Sequence, residues 1–340
     1  MLYIRVDMNN TIATGHVRRC LSIADAARSM GQETTFLLAD QQAVGLLTEK
    51  GYSYIVLNTT WNDMEGELPV LREVIREYGI TSLLIDSYMA TEGYLKSVSE
   101  LTQVTYIDDL NELMIPKGIS IVCYANYSGK FNYPMDAITY SGTRYTPLRQ
   151  EFLGLPPKQI RDKVDNVLII SGGTDNYEIL KRILEKIPVK EFKSINAVCG
   201  IYSLNYEELK EKYAQMENVH IYKSLNNIID YMRKADVVIS AGGTTLYELC
   251  AIGVPTITYS MADNQIENVK SFARDGIMEY AGDIRYDNVP ERVNVYLSEY
   301  CNDIEKRRTQ SEKMQQIVDG EGAIRIANIL RDNAKKWQIF

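Results

Sequence analysis

The chain has two histidines, and His16 stands where a base is useful. It follows a polar turn, residues 7–15, that leaves a short apolar run at 2–6 and leads into a helical pattern at 16–30. Asp7 opens that turn, Gly15 gives its last step backbone freedom, and both are candidate substrate-binding residues. In open α/β sheets, ligands bind beyond the carboxyl ends of the strands. An imidazole there can take a proton from water near neutral pH. The start of a helix disfavours the imidazolium and helps keep such a base neutral. The plainer reading is a histidine that caps the helix or bonds Asp7.

Three later turns offer complementary chemistry. Residues 171–175 contain Gly172, Gly173 and Thr174 directly after an apolar run, so backbone amides can approach a phosphate. Residues 240–248 run from a buried strand into Gly242 and Gly243, then into a helix beginning with Thr244 and Thr245. Free N–H groups and the helix dipole make that start an anion site suited to a diphosphate. Glu248, one turn in, can accept hydrogen bonds from two ribose hydroxyls. Residues 261–265 include Asn264 and Gln265, whose amides suit sugar hydroxyls and acetamido groups. Each segment also has a bland reading as a turn with an N-cap. Asp86, Asp108 and Asp109 end two apolar runs and are candidates to position water or a sugar amine. His220 reads as a core or edge histidine.

The elements needed to hold these turns alternate regularly. Strand-length runs at 2–6, 34–38, 53–57, 82–85, 104–107 and 119–124 are separated by helical patterns at 16–30, 68–78 and 92–101. A proline-bearing, charged stretch breaks the pattern, which then restarts. Strands follow at 167–171, 194–199, 219–222, 237–240 and 256–259, with helices between them and a helical end from 290. This predicts two doubly wound α/β domains of parallel sheet covered on both faces. The expected division is 1–148, an interdomain segment at 149–163, and 164–340 with C-terminal helices.

The net charge of −8 is spread evenly and argues against a nucleic-acid partner. Five dispersed cysteines read as reduced, buried thiols. With so few histidines no metal site is expected, and the pair Asp108–Asp109 is too weak a signal for a cation. No apolar run reaches the roughly 18 residues of a membrane span, and nothing resembles a signal peptide. A soluble, cytoplasmic protein without a cofactor is the expectation.

Taken in order, several segments resemble the GT-B nucleotide-sugar enzymes. They are Arg5-Val6-Asp7, Gly15-His16-Val17-Arg18-Arg19, Leu84-Ile85-Asp86-Ser87-Tyr88, Ile107-Asp108-Asp109 and Leu148-Arg149-Gln150-Glu151-Phe152. Gly172-Gly173-Thr174-Asp175, Thr244-Thr245-Leu246-Tyr247-Glu248, Asn264-Gln265 and Asp319-Gly320-Glu321-Gly322-Ala323 continue the series. Within that group the chain is most similar to the UDP-2,4-diacetamido-2,4,6-trideoxy-β-L-altropyranose hydrolases of pseudaminic acid biosynthesis. Ser87 stands where that family often has histidine.

The resemblance implies two facing Rossmann-like domains, with UDP held by the second and the base and sugar on the first. It implies metal-independent, inverting hydrolysis at the anomeric carbon, with His16 activating water. The amides around Gly173 and Gly243–Thr245 would match the diphosphate site, Glu248 the ribose ligand, and Asn264 and Gln265 residues near the sugar. The main alternative is a GT-B glycosyltransferase using a UDP-N-acetylamino sugar; a second is a non-catalytic nucleotide-sugar-binding protein. Hydrolysis leads here because the first domain shows no basic amphipathic stretch. A nicotinamide enzyme is disfavoured by the absence of G-x-G-x-x-G after the first strand of either half.

Overall fold

A computed structural model describes every residue except Asn10, Ala13, Gly173, Thr174, Asn176, Ile201, Tyr202, Asn226 and 338–340, with only the backbone of Lys336 and Trp337. The chain divides into two compact units, Met1–Leu153 with Gly320–Phe340, and Gly154–Asp319.

Unit 1 begins with β1 (Leu2–Val6), α1 (Gly15–Ser29), β2 (Thr34–Leu38), α2 (Val44–Glu49), β3 (Ser53–Val56) and α3 (Met64–Glu77). It continues through β4 (Ser82–Asp86), α4 (Glu92–Ser99), β5 (Gln103–Ile107), β6 (Ser120–Cys123) and β7 (Ile138–Ser141). The strands form one parallel sheet in the order β3-β2-β1-β4-β5-β6-β7. Every residue of β1, β2 and β4 is buried, as expected of strands covered on both faces. On one face Leu83 and Ile85 of β4 meet Leu71 of α3 and Leu95 of α4. Asp63 caps α3, its carboxylate accepting from the Gly66 amide at 3.0 Å. That cap starts the helix four residues before the apolar pattern suggests.

Unit 2 contains β8 (Asn166–Ile170), α5 (Ile179–Lys186), β9 (Ser194–Cys199), α6 (Tyr206–Lys212), β10 (Val219–Lys223) and α7 (Ile228–Lys234). Then come β11 (Val237–Ala241), α8 (Thr245–Ile252), β12 (Thr256–Ser260), α9 (Asp263–Arg274), β13 (Glu279–Asp283), α10 (Val289–Asn302) and α11 (Ile304–Ile317). Its sheet is also parallel, in the order β10-β9-β8-β11-β12-β13. Val167, Ile169, Val237 and Ile239 from the central strands pack with Ile183 of α5 in a fully buried core. His220 is exposed on β10, an edge strand, consistent with its structural reading.

The last helix, α12 (Gly322–Trp337), corrects the expected division. Residues 320–340 belong to unit 1 and not to the second domain. Ala323, Ile326, Ala327 and Leu330 are buried, and Asn333 donates to the hydroxyls of Thr105 and Ser120, each at 3.1 Å. Two glycines permit this return. A Cβ on Gly322 would lie 2.1 Å from the Thr146 carbonyl oxygen, and one on Gly320 2.3 Å from that of Phe152. Gly320 also has a left-handed φ of +79°.

Cys20, Cys123, Cys199 and Cys250 are buried as expected, whereas Cys301 is exposed. No helix among the described residues is long and apolar enough to cross a membrane.

Candidate active site

In unit 1 the chain runs outward from β1 through β2 to β3, then returns to β4 on the other side of β1. The carboxyl ends of β1 and β4 therefore flank a topological switch point, where open α/β sheets bind ligands. His16, near the start of α1, lies there: its Nδ1 is 2.6 Å from Oδ1 of Asp86, the last residue of β4. Both side chains are buried. Arg19, one turn further along α1, shares His16's helix face. Its Nε and Nη2 donate to the two Asp86 oxygens at 2.6 and 2.5 Å. Its Nη1 reaches Asp109 and, at 2.6 Å, the Tyr124 hydroxyl. The Tyr88 ring meets the imidazole edge-on, with centroids 4.4 Å apart.

This geometry sets the tautomer. Arg19 Nη2 also lies 3.1 Å from His16 Nδ1, but a guanidinium can only donate. The shorter Asp86 contact requires Nδ1 to carry a proton, so in the neutral tautomer it is Nε2 that holds the lone pair. A carboxylate placed in this way orients the ring and stabilises the imidazolium formed on proton uptake. Burial opposes ionisation of Asp86, yet the Arg19 guanidinium and His16 outweigh it, holding the carboxyl well below the usual carboxylate range. A depressed carboxylate contributes stability above its unfolded pKa, about 3.9, and loses it as pH falls through the lower folded value. Asp86→Asn should remove this acid-side dependence, seen as a flatter stability profile below about pH 4. It should also cut kcat by about 10²–10⁴-fold, because an amide behind the imidazole favours the wrong tautomer. An unchanged kcat would remove Asp86 from the account.

A second buried network supports the same turn. Arg5 of β1, fully buried, donates to Glu67 of α3 at 2.6 to 3.1 Å and to Asp7 at 2.5 Å. The Tyr94 hydroxyl donates to Glu67 at 2.7 Å, and the Ala39 amide to the other Asp7 oxygen at 2.8 Å. Burial works against the Arg5 charge, but Asp7 and Glu67 more than offset it, and the guanidinium stays protonated.

Unit 2 repeats the switch-point logic between β8 and β11. Gly172 follows β8 with φ +89°, and a Cβ there would lie 3.9 Å from that of Ala241 at the end of β11. Gly242 is required by packing: a Cβ would fall 2.8 Å from Val269 Cγ1 and 3.2 Å from the Tyr259 carbonyl. Gly243 is not, since nothing lies within 4 Å of a Cβ there. The Gly242 and Gly243 amides donate to Tyr259 and Ala241 carbonyls at 2.8 and 2.9 Å. Those of Thr244 and Thr245, at the start of α8, make no hydrogen bond among the described residues. Two convergent amides at a helix N-terminus suit an anion. Glu248 is half-buried in the first turn of α8.

Comparison with known proteins agrees with this architecture. Residues 167–324 match the glycosyltransferase family 28 C-terminal domain. The chain superposes on the crystal structure of Acinetobacter baumannii MurG with a TM-score of 0.72, at 14% identity, covering 97% of this chain and 99% of that one. The fold is GT-B. Among relatives, the Bacillus subtilis spore coat polysaccharide biosynthesis protein SpsG is 24% identical over 327 residues, 94% of either chain. A UDP-N-acetylglucosamine–N-acetylmuramyl-(pentapeptide) pyrophosphoryl-undecaprenol N-acetylglucosamine transferase of Sulfurovum is 23% identical, covering 86% of this chain and 82% of that protein. A Helicobacter pylori protein named pseudaminic acid cytidylyltransferase and UDP-2,4-diacetamido-2,4,6-trideoxy-β-L-altropyranose hydrolase is 24% identical over 79% of this chain, which spans 46% of its length. These likenesses point to a GT-B protein related to nucleotide-sugar enzymes.

In the GT-B units, the candidate residues fall into clear groups. His16 and Gly15 lie at the first switch point, with open space where a Gly15 Cβ would project. Asp7 is turned into the Arg5 network, a positioning role, and does not bond His16. Gly172, Gly243, Thr244, Thr245 and Glu248 lie at or beside the second. Gly173 and Thr174 fall outside the described residues. Asn264 is exposed at the start of α9, while the Gln265 side-chain oxygen accepts from the Met261 amide at 2.9 Å. Asp108 accepts from the Leu110 and Asn111 amides and from the Tyr133 hydroxyl, and so shapes its own loop. Sequence reasoning gave no role to Arg19. Its spacing of three from His16 is the signal that places both on one helix face.

Proposed function

We propose that this protein is a GT-B glycosyltransferase that moves an N-acetylamino sugar from UDP to an acceptor hydroxyl, with His16 as the base. The observation that carries the reading is the buried His16–Asp86 pair at a switch point, with Nε2 left as the proton acceptor. The acceptor oxygen attacks the anomeric carbon as Nε2 takes its proton, and the bond from that carbon to the diphosphate oxygen breaks. UDP leaves and the anomeric configuration inverts. The Thr244 and Thr245 amides, with Gly172 alongside, offset the charge that develops on the diphosphate. Glu248 accepts from the ribose hydroxyls, and Asn264 and the amide nitrogen of Gln265 face the sugar. The family 28 match over unit 2 and the transferase relative support this assignment. A cytoplasmic setting fits the free thiols.

A second reading has water in place of the acceptor, giving free sugar and UDP; the Helicobacter pylori relative favours it. His16 and the UDP site serve both readings unchanged. The shared part is tested by titrating the protein with UDP and other nucleoside diphosphates. Glu248→Ala should weaken UDP binding by roughly tenfold or more, as expected for losing charged hydrogen bonds. Unchanged affinity in that variant would sink the ribose role, and no binding of UDP by the parent protein would sink both readings.

A further inference from the structure

Unit 2 has a second concave site at the amino-terminal end of its central strands. The segment before β8, the end of α7 and the end of α8 enclose a cavity of about 440 Å³, lined by Pro156, Pro157, Lys158, Arg161, Arg233 and Lys234. These residues precede β8 and β11, whereas Gly172 and Gly242–Thr245 follow them. A five-residue strand separates its two ends by about 16 Å, so the cavity lies well apart from the proposed diphosphate loop.

Its electrostatics are one-sided. Arg233 and Lys234 are exposed and make no ion pair among the described residues. Arg161 pairs with Asp236 at 2.6 Å and donates to the Lys234 carbonyl at 2.5 Å. Lys158 donates to the carbonyls of Arg233 and, at 2.8 Å, Ala235, which leaves its third N–H without a partner among the described residues. Three cations therefore remain uncompensated around one hollow, in a chain of net charge −8. Burial lowers the Lys158 ammonium to about 8; Asp236 works against this, while Arg161 and Arg233 add to it. Pro156 and Pro157 give the hollow a rigid apolar wall, and its volume lies in the range of small-molecule sites.

We infer that this cavity is a second anion site, which takes a phosphate group carrying an apolar or carbohydrate body. Lys158, Arg233 and Lys234 match a phosphate dianion in charge, and the proline wall covers the body attached to it. The bonds from Lys158 to the Arg233 and Ala235 carbonyls hold its ammonium in place without an acidic side chain to neutralise it.

The test is calorimetric titration of the full-length protein with inorganic phosphate and with glucose 6-phosphate, in saturating UDP so that the diphosphate loop is blocked. A UDP titration beforehand reports separately on the proposed nucleotide site. We expect glucose 6-phosphate to bind more tightly than phosphate, and R233A/K234A to raise its dissociation constant at least roughly tenfold. At pH 8 binding should draw in on the order of half a proton, because the anion favours charged Lys158. K158R should keep binding but lose that uptake. Equal affinity in R233A/K234A and the parent, or no binding by the parent, would overturn the inference. Tighter binding of inorganic phosphate than of glucose 6-phosphate would overturn the role given to the apolar wall.

Discussion

His16→Ala should lower kcat by about 10²–10⁴-fold, the range expected for removing a general base, while UDP affinity stays the same. The separation follows from the architecture. His16 belongs to unit 1 and is held there by Asp86, which Arg19 anchors, whereas the amides and carboxylate assigned to UDP belong to unit 2. Steady-state rates and a UDP titration on the same preparation check both halves. A variant that turns over normally would remove His16 from the mechanism. One that loses UDP binding together with turnover would show that the two roles are not divided as proposed.

Glu67→Ala should produce the largest loss of stability. Arg5 and Glu67 are both fully buried, and removing Glu67 leaves Arg5 Nε and Nη2 without their buried acceptor, at about 1–3 kcal/mol for each unsatisfied donor and about 3–5 kcal/mol in all. Asp7 would still face Arg5, but the Tyr94 hydroxyl would lose its acceptor as well. For a unit of this size the melting temperature should fall by roughly 6–20 °C, read by thermal denaturation. Because Asp7 begins the turn that leads to His16, residual activity should fall alongside stability. A melting temperature lowered by less than about 2 °C would mean that the network contributes little to holding the fold.

The central strands were legible because burial on both faces produces apolar runs, as in β4, β8 and β11 and, interrupted only by Arg5, in β1. Two of the four edge strands were not. β7 pairs on one side only and none of its four residues is buried, so its sequence carries no apolar run. β13 mixes Glu279 and Asp283 with Gly282 and offers no apolar run. The placement of α12 depends on long-range packing. Its apolar face was visible, but only the close approach of Gly320 and Gly322 to Phe152 and Thr146 sends it back to unit 1.

The candidate site divides in the same way. His16 could be found from its place after a strand, and the α8 start from its glycine pair. That Asp86 would be His16's partner, 70 residues away, follows from β4 lying beside β1, which neither periodicity nor spacing reveals. Asp7 shows the converse. Its position after β1 suggested a ligand, yet Arg5, its second neighbour along the strand, claims it for the interior.

The most direct test of the account is UDP release from a panel of UDP-N-acetylamino sugars, with EDTA present, in buffer alone and with hydroxyl-bearing carbohydrate acceptors. The account predicts that an acceptor accelerates release and that His16→Ala abolishes the acceleration. Release at full rate in buffer alone would replace transfer with hydrolysis. Release that persists in His16→Ala would contradict the role of the His16–Asp86 pair.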